Sequence, residues 1–160
     1  MYSNGKREML RHAVATLAYR GGKAIRGAPN SFASFRATES ARTPGEILAH
    51  IGDLLDWALS MAAGAEAWKN TPSGGWSADV ERFHASLARL DEFLASEAEL
   101  ACSCERLFQG AIADALTHVG QIAMLRRISG APIRGENYSR AMIEVGRVGA
   151  EQSTAVYEFD

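Results

Sequence analysis

The sequence predicts an all-α protein: a four-helix bundle with long connections and a short C-terminal extension. Apolar residues recur at spacings of three and four in four separate stretches, the signature of helices with one buried face. Clusters of Gly, Pro, Asn and Ser separate those stretches, and no segment alternates apolar and polar residues as a half-buried strand does. With 160 residues, the chain reads as a single domain over 1–160, long enough to bury a core without disulfide staples.

Helix one spans about 6–20, with Leu10, Val14, Leu17 and Ala18 on one side and Arg7, Arg11 and Arg20 largely on the other; Gly21-Gly22 ends it. A linker to Thr43 contains Gly27, Pro29, Asn30, Phe32 and Phe35. Its length predicts that it drapes across the bundle or walls a pocket. Helix two spans 44–68 and has the clearest start in the chain. Thr43 is the N-cap, Pro44 the first helical residue, and Glu46 completes a capping box. Its core stripe is Ile47, Ile51, Leu54, Ala58 and Met61. The turn-rich run Asn70-Thr71-Pro72-Ser73-Gly74-Gly75 precedes helix three, 77–97, whose Val80, Phe83, Leu87, Leu90 and Leu94 form a narrow seam.

Helix four spans 103–128 and carries two apolar stripes. One is Phe108, Ile112, Leu116, Val119 and Ala123; the other is Leu107, Ala111, Asp114, His118, Ile122 and Leu125. The pattern predicts a helix buried on most sides, and Gly110, Ala113, Thr117 and Gly120 on a third side would allow close approach of another backbone, as at a dimer interface. A short helix at 139–145 and a weakly patterned tail complete the chain.

Apolar residues make up 47% and charged residues 22% of the sequence, the composition of an ordinary soluble domain. The net charge of −2 gives no basis for a nucleic-acid or anionic-membrane partner. Charge is unevenly placed: residues 1–37 hold Lys6, Arg7, Arg11, Arg20, Lys23, Arg26 and Arg36 against Glu8 alone. The preferred reading is a basic helix lying against an acidic remainder; an Arg-rich transit peptide is the other. No apolar run is long enough to span a membrane, and no export signal is evident. Cys102 and Cys104 are too close for an easy disulfide and have no second pair to make a zinc site. Reduced thiols and a cytoplasmic location are expected.

The anomaly is Asp114 and His118 in an otherwise apolar stripe. At i and i+4 they project from one face, one turn apart, and a buried carboxylate needs a partner. His50, between Ile47 and Leu54 at the edge of helix two's stripe, also points toward the interior. Two imidazoles and a carboxylate from two helices could hold a divalent metal with coordination positions left open. An Asp–His ion pair, with His50 bonded to a backbone carbonyl, would satisfy the same three groups without metal.

The segments Thr43-Pro44-Gly45-Glu46-Ile47-Leu48-Ala49-His50-Ile51-Gly52-Asp53-Leu54-Leu55-Asp56-Trp57 and Leu116-Thr117-His118-Val119-Gly120-Gln121-Ile122-Ala123-Met124-Leu125-Arg126-Arg127 resemble the second- and fourth-helix motifs of the DinB-like (YfiT-like) family of metalloenzymes. The likeness continues through Gly130-Ala131-Pro132 and Glu136-Asn137-Tyr138. It implies an up-down-down-up bundle, commonly a homodimer, with a divalent metal held by one histidine of helix two and two of helix four. His50 and His118 match the first and last ligands; the middle ligand position is Asp114. Zinc or nickel leads, and the carboxylate admits iron or manganese. The resemblance implies a metal-dependent transferase acting on a low-molecular-weight thiol, or a hydrolase. The alternative is a non-catalytic dimeric bundle, a stress-associated or binding module with a degenerate centre.

Other polar residues read more plainly. Gln121 is expected to orient His118 or bridge helices. Asp53 and Glu46 are expected on a solvated face or in a cap, and Trp57 as a partly buried aromatic that could wall a pocket. His12 and His84 are not expected to be ligands. Arg126-Arg127 suit the C-terminal end of a helix, and Cys102 and Cys104, near a helix N-terminus, have a setting that can lower a thiol pKa. There is no phosphate-cradling glycine loop, nucleophile elbow, Cys-x-x-Cys or His-Glu-x-x-His motif, which excludes nucleotide hydrolases, serine hydrolases and the familiar zinc proteases.

Overall fold

A computed structural model describes residues 2–160, with side chains from residue 5 onward. Four long helices dominate it: α1 (Tyr2–Ile25), α2 (Pro44–Ala62), α3 (Trp76–Ala95) and a composite α4 built from Cys104–Leu107, a π-helical turn Phe108–Ile112 and Ala113–Ile128. The chain is an all-α four-helix bundle. Arg82 and Arg89 of α3 pair with Asp53 and Asp56 of α2 in the same order along both helices, so α2 and α3 run parallel. Lys6 pairs with Glu105, and Arg126 reaches Ala24 O, so α1 and α4 also run parallel. Arg7 bonds Leu94 O while Gly21 meets Phe83, and Trp57 lies against Gly110 while His50 meets His118. The two pairs therefore oppose each other, and the topology is up-down-down-up.

The helix ends differ from expectation in ways that packing explains. α1 passes straight through Gly21 and Gly22, because Gly21 is the point where the Phe83 ring of α3 approaches: a Cβ there would stand 2.5 Å from Phe83 Cζ. Tertiary contact outweighs the low helix propensity of the pair, and Gly27, at φ +66°, makes the turn instead. The capping box of α2 is formed as expected, with Thr43 Oγ1 accepting from Glu46 N at 3.1 Å and Glu46 Oε2 from Thr43 N at 2.7 Å. α2 stops at Ala62 rather than at 68. Gly64 turns left-handed at φ +76°, and the Ala65 N–H bonds Ser60 O at 2.9 Å to close the end.

The core is the facing sides of all four helices, including Phe83, Leu87, Leu90 and Leu94 of the predicted seam, with Val80 partly buried against it. α4 is not buried on most sides: Thr117, Gly120, Gln121 and Met124 face solvent, and Phe108 is exposed while Leu107, Ala111, Ile122 and Leu125 are buried. The linker drapes over one end of the bundle. Its short turn Asn30–Ser34 buries Phe32 edge-on against Trp76 at 5.5 Å, with the Arg126 guanidinium 5.6 Å above the ring.

The helix expected at 139–145 is only a 3-10 turn, Tyr138–Arg140, and two short strands form beyond α4: β1 (Gly135–Glu136) pairs antiparallel with β2 (Glu158–Phe159). Side-chain anchors outcompete local helix here. Arg20 and Arg140 lie 4.2 and 4.0 Å from the ring centres of Tyr138 and Tyr157. Glu136 is buried, accepting from Tyr19 OH at 2.6 Å and from Lys23 Nζ at 2.7 Å, and Lys23 also donates to Glu158 at 2.7 Å. Arg11 pairs with Asp91 of α3 at 3.0 Å. The basic first helix therefore lies against acids of the other elements. Among the described residues, no helix is long and apolar enough to cross a membrane.

Candidate metal centre

His50 sits midway along α2, where the capping box fixes the start of the helix and the buried Ile47, Ile51 and Leu54 fix its roll. On α4, the register after the π-turn sets Asp114 and His118. The antiparallel packing of these helices brings the three side chains together, with one ligand atom from each lying within 4.8 Å of the others. His118 Nε2 is 3.5 Å from Asp114 Oδ1, and His50 Nε2 is 3.9 Å from Asp114 Oδ2. The imidazole centres are 4.7 Å apart at 89°. All three residues of the predicted set are brought to one place.

A hydrogen bond between imidazole and carboxylate closes to about 2.7–3.0 Å, and neither contact does, although both lie within ion-pair distance. Two atoms each about 2.1 Å from a tetrahedral ion lie about 3.4 Å apart, near the His118–Asp114 separation and shorter than the His50–Asp114 one. The cluster could hold a metal ion. One part of the sequence argument is corrected: the Asp114 side chain is 47% exposed, because it lies at the rim of the helix pair, so desolvation does not compel it to find a partner.

The hydrogen bonding around His118 and the setting of His50 suit ligation. His118 Nδ1 lies 2.8 Å from Gln121 Oε1; in the tautomer that donates from Nδ1 to that oxygen, Nε2 is the nitrogen free to ligate, on the side of Asp114. Gln121 thus orients His118, one of the two roles expected for it. Burial, followed by the charges of His118 and Arg42, holds His50 below the ordinary histidine pKa, outweighing Asp114 and Asp53. A neutral imidazole is the form that binds a metal.

One tryptophan walls the cluster and a second backs it. Trp68 stands edge-on to His50 at 5.7 Å, and Trp57 edge-on to Trp68 at 5.7 Å. Trp57 covers Gly110 in the π-turn, where a Cβ would lie 3.5 Å from the indole. Its Nε1 donates to Glu66 at 3.2 Å, and Glu66 pairs with Arg106 at 2.9 Å. Sequence reasoning missed both Trp68 and the π-turn. Trp68 was expected at the end of helix two; the early stop at Ala62 folds it back onto His50. Gly110 in mid-helix was the available signal for the wide turn, which commonly marks a functional site.

Other candidates fall elsewhere. Asp53 is buried rather than solvated: it accepts from Arg82 at 2.7 Å and from Thr71 N at 2.9 Å, tying α2 to α3 and to the following connection. Glu46 caps α2. Arg126 is buried and donates to Ala24 O, Arg26 O and Ala131 O at 3.0, 3.0 and 2.7 Å, closing the end of α1. Burial pushes the Cys102 thiol up rather than down. His84 packs on Phe83, away from the cluster. Family models, curated proteins and solved structures yield no match to the chain.

Proposed function

We propose that the protein is a metal-dependent enzyme of the DinB-like kind, using His50, Asp114 and His118 to hold a divalent transition metal. The observation that carries this reading is the convergence of three candidate ligand atoms within 4.8 Å of one another, at separations longer than hydrogen bonds that could be bridged by a shared ion. Two imidazoles and a carboxylate favour zinc or nickel and admit iron or manganese. The reaction class is transfer of a low-molecular-weight thiol, or hydrolysis, as the motif resemblance implies.

When bound, the ion would supply Lewis acidity, lowering the pKa of a coordinated water or thiol and polarising a carbonyl. The chain's own groups prepare the site. Gln121 sets the orientation of the His118 ring, the setting of His50 favours its neutral form, and Trp68, backed by Trp57, packs against His50 on one side. The half-exposed Asp114 marks the open side, from which a substrate can approach. The exposed small residues Thr117 and Gly120, with Met124 beside them, support a homodimer through α4.

Elemental analysis of protein purified without a metal-affinity tag, after exposure to zinc, nickel, manganese and iron, is expected to give close to one equivalent of metal. His118→Ala is expected to abolish it. Less than about a tenth of an equivalent in the wild type would overturn the enzyme reading in favour of a non-catalytic helical bundle. With metal bound, consumption of a small thiol in the presence of an electrophile tests the transferase class. Light scattering at micromolar concentration tests the dimer, and a monomeric mass refutes it.

A further inference from the structure

Of the two histidines in the cluster, only His118 has its ring set by a hydrogen bond, to Gln121. Among the described residues, His50 has no hydrogen-bonding partner on either ring nitrogen, its nearest carboxylate oxygen being 3.9 Å away. A liganding imidazole is ordinarily held in orientation by a partner on its second nitrogen, and losing that partner costs metal affinity. What His50 does meet is an indole. The geometry points to Trp68 as the positioning residue for His50, holding by ring packing the orientation that Gln121 secures for His118 by hydrogen bonding.

Trp68 is itself held in place at several points, although 44% exposed. Upstream, Ser60 Oγ accepts from Ala67 N at 3.1 Å. Downstream, Thr71 N donates to Asp53 at 2.9 Å. The Trp68 Nε1 donates to Asn70 Oδ1 at 3.1 Å, which sets the roll of the indole, and Trp57 backs it at 5.7 Å and 88°. The other face of this arrangement is His50, at 5.7 Å and 71°. A tryptophan so exposed adds little to the core, yet the connection between α2 and α3 is bonded at three points around it. Swinging the His50 ring would carry Nε2 away from Asp114, and the Trp68 edge obstructs that swing. The inference rests on the proposed metal centre and adds to it the segment that aligns one ligand.

The test is titration of untagged protein with Co2+, read by visible ligand-field absorption and by tryptophan fluorescence. Wild type, Trp68→Ala, Trp68→Phe, Trp57→Phe and His118→Ala are compared, with thermal melts to verify folding. Trp68→Ala is expected to weaken Co2+ binding about tenfold or more and to change the absorption spectrum, while Trp68→Phe, which keeps an aromatic edge, stays within about threefold of wild type. Fluorescence quenching on Co2+ binding is expected to fall far more in Trp68→Phe than in Trp57→Phe. Unchanged affinity and spectrum in a folded Trp68→Ala variant overturn the positioning role alone. Absence of Co2+ uptake by the wild type overturns the metal centre and this inference together.

Discussion

Gly21 and Gly22 are adjacent in α1, yet alanine is expected to act on them with opposite sign. In a helix interior, Gly→Ala stabilises by about 1 kcal/mol. At Gly22 the new Cβ would meet Arg26 Nη2 at 3.5 Å and Gln152 Cγ at 4.0 Å. These are ordinary contacts with flexible side chains, so Gly22→Ala should gain about 0.5–1 kcal/mol. At Gly21 it would meet Phe83 Cζ at 2.5 Å and both Cε atoms at 3.3 Å. Carbon atoms pack at about 3.5–4.0 Å, so the ring must retreat by about 1 Å. Phe83 is fully buried in the α3 seam and has nowhere to go. Overpacking of that kind costs about 1–3 kcal/mol; with the upper half of that range set against the propensity gain, the net loss is about 1–2 kcal/mol. Urea unfolding followed by circular dichroism measures both variants, and the melting temperature should move by about 2–4 °C per kcal/mol. Phe83→Leu removes the clashing atom, so it should cost less in the Gly21→Ala background than in the wild type. If Gly21→Ala is as stabilising as Gly22→Ala, the close approach of α1 to α3 is wrong.

Two further outcomes are expected. Gln121→Leu, which removes the oxygen 2.8 Å from His118 Nδ1, should weaken Zn2+ binding about 10–100-fold in a competition titration, with melting of the metal-free protein little changed; equal affinity would show that the amide does not orient the ring. Stability should also decline at alkaline pH. Burial, then the hydrogen bond to Glu136, raises the Tyr19 pKa above 10.0. Burial alone would lower Lys23, but hydrogen bonds to Glu136 and Glu158 outweigh it and raise it above 10.5. Both groups hold their protons more tightly when folded, so their contribution is complete below pH 10 and is lost as the pH climbs through the folded values. Tyr19→Phe should be less stable than wild type near pH 8 and should show a shallower loss above pH 10. Parallel curves in urea titrations across that range would refute the assignment.

The cluster of His50, Asp114 and His118 was readable from the chain because it depends on local periodicity. One turn of helix separates Asp114 from His118, and the cap at Thr43-Pro44-Glu46 phases His50 onto the inner edge of α2. The four apolar stripes likewise specify four helices, since a 3.6-residue repeat can bury its face only against other helices. What the periodicity did not contain was distance between segments. Whether Gly21-Gly22 breaks a helix depends on Phe83, about sixty residues away, and whether 139–145 is helical depends on cations of α1 and on Tyr157. The exposure of Asp114, the burial of Asp53 against Arg82 and the capture of Arg126 by the end of α1 are set by how the helices cross. Trp68 shows the difference most clearly: its sequence position suggests a helix end, and only the left-handed turn at Gly64 and the bonds to Ser60 and Asp53 carry it to His50. Short-range pattern chose the helices and their inward residues; long-range packing, whose strength lies in contacts between residues far apart in the chain, chose where they stop and what surrounds the cluster.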